Sequence, residues 1–146
     1  MTRWTVSAPL LTPKTSWEST SVKDPSIVYA EGAWHLFYTA ISPVASITGY
    51  TCAQTLEELG SAPRYELPMV RSTAERYGCA PQVFYYAPQG LWYLIFQNRD
   101  ASYRVCYCTT PTIADPASWS EFRPLLHRDE SDSWIDFWVI ADEARV

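Results

Sequence analysis

Asp24-Pro25-Ser26-Ile27-Val28-Tyr29-Ala30, then Glu31-Gly32, then Ala33-Trp34-His35-Leu36-Phe37-Tyr38-Thr39-Ala40 consists of two β-prone runs joined by a glycine-containing pair. Such a pattern predicts a β-hairpin. The same design returns downstream as Ala80-Pro81-Gln82-Val83-Phe84-Tyr85-Tyr86, the turn Ala87-Pro88-Gln89-Gly90, and Leu91-Trp92-Tyr93-Leu94-Ile95-Phe96-Gln97. A Trp stands early in the second run of each copy. A third start, Trp134-Ile135-Asp136-Phe137-Trp138-Val139-Ile140-Ala141, has no second run after it. Aligning the three starts sets Asp24 against Ala80 and Asp136, at successive intervals of 56 residues. A period of that length, filled with several short strands, is the pattern of a β-propeller blade, a sheet of four antiparallel strands.

Each repeat has room for further strands: residues 49–53 and 66–70 in the first, 103–108 and 122–126 in the second. Pro68 and Pro124 place the last strand of each repeat at a sheet edge, where a missing N–H is tolerated. Residues 55–59 predict a short helical turn and 110–116 a loop. The expected organisation is all-β, about two blades plus the first strand of a third. Blade 1 covers about 22–72, blade 2 about 78–127, and blade 3 starts at about 133–141. Two blades and a fragment cannot close a ring, so an open strand edge and a half-covered apolar face are expected.

Composition narrows the partners. The chain has 146 residues, 47% of them hydrophobic, enough for a real core. Seven Trp and ten Tyr suit strands and sugar-stacking surfaces. A net charge of -5 with only 11 Lys and Arg leaves no basic patch for a phosphate backbone, so nucleic acid is not an expected partner. No apolar run approaches the roughly 18 residues of a membrane span, and the N-terminus has no hydrophobic signal core. A soluble chain without its export signal is expected. Cys52, Cys79, Cys106 and Cys108 lack CxxC spacing and clustered His, which argues against zinc. Alternation puts Cys106 and Cys108 on one strand face. Buried free thiols are expected, although an even count also permits disulfides.

In a propeller the first strand of every blade lines a central channel, so Asp24 and Asp136 are expected to face one pocket. Two converging carboxylates suit glycoside hydrolysis by inversion, where a separation of about 6.5–9.5 Å admits the attacking water. Asp24 is the candidate general base, and the Lys23 cation beside it favours the ionised form. The competing reading makes Asp24-Pro25 a turn opener. Asp136 stands among Trp134, Ile135, Phe137 and Trp138, where a buried carboxylate is costly without a partner. Its alternative role is a structural Asp held by backbone N–H groups. His35 is either a pocket residue or a packed, capping histidine. His127 and the acidic run Asp129, Glu130 and Asp132 read as a solvated loop, because the run lacks the glycine turn and closing Glu of a calcium loop. No nucleophile elbow, P-loop or dinucleotide fingerprint occurs.

Three stretches together resemble glycoside hydrolase family 62, the α-L-arabinofuranosidases that remove arabinose side chains from xylan. They are Ser21-Val22-Lys23-Asp24-Pro25-Ser26 with Tyr29 and His35, Ala80-Pro81-Gln82-Val83-Phe84-Tyr85 through Leu91-Trp92-Tyr93-Leu94, and Trp134-Ile135-Asp136-Phe137-Trp138-Val139-Ile140. The resemblance implies a five-bladed β-propeller and an inverting mechanism with three acidic residues in the central pocket. Asp24 matches the catalytic base, Asp136 the carboxylate that orients the sugar and tunes the general acid, and Lys23 a lysine that contacts arabinose. Gln82 and His35 are expected as further substrate-binding residues. The third acid is a Glu of a later blade, to which no residue here is assigned. Five blades need about 280 residues. The chain is thus expected to be the N-terminal half of such an enzyme and nearly inert alone. A structural calcium in the full-length parent would rest on later blades. Arabinoxylan is the expected partner, the extracellular space the expected location, and a monomer the expected state. Residues 55–76 and the tail from Asp142 depart from the family pattern. A non-catalytic glycan-binding β module, and a β-sandwich of about ten strands with both Asp residues incidental, are the alternatives.

Overall fold

The computed structural model describes residues 3–67, 77–98, 105–125 and 136–140. Among these, two four-stranded antiparallel sheets follow one another along the chain. The first contains β1 (Ser21–Ala30), β2 (Ala33–Ser42), β3 (Ala45–Ala53) and β4 (Arg64–Glu66), and the second β5 (Gly78–Tyr86), β6 (Leu91–Asn98), β7 (Val105–Thr110) and β8 (Arg123–Pro124). Every strand bonds its sequence neighbour, so each sheet is a simple meander and the sequence repeat is a repeat of sheets. The fold is all-β, and both sheets are open.

The local chemistry accounts for the hairpins. Ala30 pairs with Ala33, and the two residues between them, Glu31 and Gly32, have φ of 50° and 79°. Positive φ at both central positions marks the turn whose twist matches that of its strands. In the second sheet a 3₁₀ turn at Ala87–Gln89 is closed by Gly90 at φ 65°. Another 3₁₀ turn, Glu57–Gly60, forms where a short helical turn is expected and buries Leu59. β8 carries Pro124 at the sheet edge, as its missing N–H requires. Residues 68–70, 103–104, 126, 133–135 and 141 of the expected strands lie outside the described residues, as do His127, Asp129, Glu130 and Asp132.

The core lies between the sheets. Phe37, Tyr50 and Leu67 of the first meet Val83, Leu94, Phe96, Cys106 and Cys108 of the second, with Ile113 and Trp119 from the loop after β7. The Trp119 ring stands edge-on to Phe37 at 5.6 Å. Cys106 and Cys108 share this core, as alternation demands, and no disulfide joins the four cysteines. β2 is buried on both faces. Leu36, Tyr38 and Ala40 point away from the second sheet into a separate cluster with Ile47 and Leu59. This face was expected to be half-covered. Leu11 and Trp17 of the N-terminal segment pack over it.

Candidate active site

Asp24, Ala80 and Asp136 have φ of 52°, 52° and 54°, so the three aligned positions share one left-handed backbone conformation. That region costs an L-residue roughly 1–2 kcal/mol, less for Asp than for Ala, so the surrounding structure must enforce it. The cause is visible in the first two repeats. Lys23 pairs with Thr39 but Ser26 with Phe37, and Cys79 pairs with Gln97 but Gln82 with Ile95. The first strand of each sheet therefore holds one residue more than its partner, a β-bulge that re-aims the side chains around it. Strict alternation from Val22 would not reach Pro25 and Ile27. With the extra residue, all three line one cavity of about 340 Å³ beside Lys23, together with Leu10, Leu11 and Tyr38.

Side chains fasten the first sheet to β5, and β5 to the segment one repeat later. Thr48 Oγ1 donates to the Gly78 carbonyl at 3.0 Å, the Ala80 N–H donates to Thr39 Oγ1 at 2.8 Å, and the Val83 N–H donates to Ser26 Oγ at 2.9 Å. One repeat later the Val139 N–H donates to Gln82 Oε1 at 2.9 Å, and Gln82 Nε2 donates to the Val139 carbonyl at 3.3 Å. The Ser26–Val83 and Gln82–Val139 links both span 57 residues. Segment 136–140 therefore sits beside β5 as β5 sits beside β1. None of these polar contacts follows from local pattern. The available signal was a polar residue, Ser26 or Gln82, at the same place in two aligned repeats.

Lys23 Nζ lies 3.5 Å from Asp24 Oδ2, with the two side chains 55% and 33% exposed. An ion pair so open to water adds at most about 1 kcal/mol to stability, which leaves both charges available to a ligand. Cys79 lies close by. Burial pushes its thiol up, the Tyr77 hydrogen bond and the Lys23 charge oppose that rise, and Asp24 adds to it. Asp136 is exposed, contrary to the expectation of a carboxylate buried among aromatics. Along 136–140 burial alternates, so Phe137 and Val139 turn inward while Trp138 and Ile140 stay 71% and 87% exposed on the Asp136 side.

The other two expected contacts are held by the protein itself. His35 is buried, with Nε2 3.1 Å from the Ala30 carbonyl and Nδ1 2.8 Å from the Tyr50 hydroxyl. A carbonyl only accepts, so Nε2 carries the proton and Nδ1 accepts from Tyr50. Burial lowers the His35 pKa and keeps the ring neutral, in agreement with that tautomer. His35 pairs with Val28, whereas the Lys23–Asp24 end of the ladder pairs with Thr39. Four strand steps of about 3.3 Å separate them. Gln82 spends its carbonyl and its amide nitrogen on Val139. Among the described residues, no three or more His, Cys, Asp or Glu are grouped to hold a cation such as calcium.

A family profile described as glycosyl hydrolase family 62 matches residues 3–146. Alpha-L-arabinofuranosidase C of Cellvibrio japonicus (strain Ueda107) is 36% identical over 149 residues, a match covering 97% of this chain and 21% of that protein. Among solved structures, the catalytic domain of the Coprinopsis cinerea family 62 α-L-arabinofuranosidase superimposes with a TM-score of 0.82 at 36% identity, covering 97% of this chain and 46% of that one. A family 62 hydrolase in complex with xylotriose gives 0.67 at 32% identity, covering 80% of this chain and 34% of its own. The chain thus spans less than half the length of these relatives.

Proposed function

The chain belongs to glycosyl hydrolase family 62, and from that premise we propose that it supplies the first blades of a five-bladed β-propeller α-L-arabinofuranosidase that removes arabinose from arabinoxylan by inversion. The observation that carries this reading is the shared left-handed conformation at Asp24, Ala80 and Asp136, on inner strands fastened side by side. Residues one repeat apart then converge on one axis, with a carboxylate from the first and third repeats. The xylotriose bound by a family 62 relative supports a xylan-type ligand. Extracellular location and a monomeric state belong to the same proposal.

In this mechanism Asp24 takes a proton from water as the oxygen attacks the anomeric carbon of arabinose. The bond from that carbon to the xylan oxygen breaks on the opposite face, and the leaving oxygen takes a proton from a general acid. Asp136 orients the sugar and raises the pKa of that acid, a Glu to which no residue of this chain is assigned. Lys23, whose side chain is more than half exposed, contacts arabinose. An unassisted leaving group forfeits about 10²–10⁴-fold in rate.

The test incubates arabinoxylan with the 146-residue chain, measures arabinose release by chromatography, and titrates the chain with arabinose-bearing xylo-oligosaccharides. Binding with very slow release is expected, and Asp24→Asn should abolish the release while sparing most of the binding. Fast release that survives Asp24→Asn would take the base role from Asp24. Failure to bind any arabinosylated fragment would remove the substrate assignment.

A further inference from the structure

β5 and segment 136–140 are fastened unequally to the repeat before them. β5 is held to the first sheet by three side chains, Thr39, Thr48 and Ser26, acting at Ala80, Gly78 and Val83. Among the described residues, both hydrogen bonds between segment 136–140 and the sheets are made with Gln82, one donated by it and one accepted. That side chain is buried, at 5% exposure, and takes the backbone N–H and the backbone carbonyl of one residue at once. The two-point grip fixes Val139 in rotation as well as in distance. Asp136 lies three residues earlier on the same short segment, in the left-handed conformation that aims its carboxylate.

We propose that Gln82 is the positioning residue for Asp136: its amide clamps the backbone on both sides of Val139 and so sets the third-repeat carboxylate against the Lys23–Asp24 end of the first repeat. The claim rests on the reading of Asp136 as a pocket carboxylate, and it replaces direct substrate contact by Gln82 with action through the backbone. A loosened clamp leaves both carboxylates present but spreads Asp136 over many orientations, and a misaligned group loses most of its value in a pocket.

Three variants of the 146-residue chain test it. Gln82→Met keeps the length of the side chain and removes both hydrogen bonds. Gln82→Glu keeps the acceptor for the Val139 N–H and loses the donor to its carbonyl. Ser26→Ala opens only the equivalent link between β1 and β5. Each is followed by amide hydrogen exchange and by titration with arabinosylated xylotriose. In Gln82→Met the Val139 amide should exchange about ten-fold faster while the amides of β6 and β7 hold their protection. Affinity for the oligosaccharide should fall about ten-fold in parallel, with Gln82→Glu intermediate. Ser26→Ala should keep its affinity within about two-fold, because Thr39 and Thr48 still hold β5. An unchanged Val139 amide in Gln82→Met overturns the clamp. Faster exchange with undiminished affinity overturns the positioning role alone. Should the unmodified chain bind no arabinosylated xylotriose, the pocket reading of Asp136 fails and takes the positioning role with it, whereas the exchange data still decide the clamp.

Discussion

Tyr38 in the first sheet and Phe96 in the second stand at matching places, four residues beyond Trp34 and Trp92 on the second strand of each sheet. Tyr38 lies across Gly49, its cross-strand partner, and donates to Glu18 at 2.8 Å. Burial, then the Glu18 carboxylate, pushes the Tyr38 hydroxyl far up, so it stays a donor. Phe96 faces Cys106 and ends in apolar packing against the first sheet. The difference follows from what each face meets. The second sheet meets another sheet, whose backbone groups are already paired in its ladder. The first meets residues 10–18, an N-terminal segment without a ladder of its own, and polar side chains must satisfy that backbone. Glu18 accepts from the Lys14 and Thr15 N–H groups, and Arg64 donates to the Thr12 carbonyl and pairs with Glu18 at 2.6 Å. Both charged groups are almost fully buried.

The largest effect should come from breaking that buried pair. Arg64→Met leaves the Glu18 carboxylate without its counter-charge and should cost about 3–5 kcal/mol. Phe96→Leu, an apolar exchange at the matching place, should cost about 1 kcal/mol. Urea unfolding of both variants measures the contrast, and equal losses would erase it. A smaller effect is expected at Gly49, where an added Cβ would stand 2.6 Å from the Tyr38 ring. Gly49→Ala should cost about 1–3 kcal/mol, and a Tyr38→Leu background should remove most of the loss. If the cost persists there, it belongs to the strand and not to the ring.

The smallest effect is a pH dependence. His35 and Tyr93 each follow the Trp of their second strand, so only the first sheet has a titrating imidazole at this place. Burial lowers the His35 pKa, so the folded chain keeps it neutral while the unfolded chain binds a proton near pH 6.5. The unfolded state gains protons as the pH falls, and stability drops through and below that value. The melting temperature should decline between pH 7 and pH 5, with a shallower decline in His35→Gln. An identical slope in that variant would move the acid sensitivity elsewhere.

Much of this architecture was legible as pattern. The recurrence of a Gly-containing hairpin, a Trp at the head of each second strand, and the 56-residue spacing of Asp24, Ala80 and Asp136 led to two successive sheets and to three equivalent backbone positions. The Lys23–Asp24 ion pair was legible in the same way, because adjacent residues on one strand cannot be far apart. The bulges were hidden. Alternation assumes one residue per step, and an inserted residue changes the facing of everything before it, which is why Val22, Pro25 and Ile27 share a cavity. The exposure of Asp136 was missed for a related reason, since an aromatic neighbourhood in sequence does not say which side of the strand is covered.

Read alone, the residues determined the class of structure, the period and the positions that correspond. Those properties are written in the order of apolar, polar and turn-forming side chains over a few residues. Tertiary structure decided which partners those positions meet. The Glu18–Arg64 pair joins residues 46 apart, and the links from Ser26 and Gln82 join residues 57 apart. Their polar atoms choose one another only after packing has brought distant strands together and removed the water that would otherwise have satisfied them.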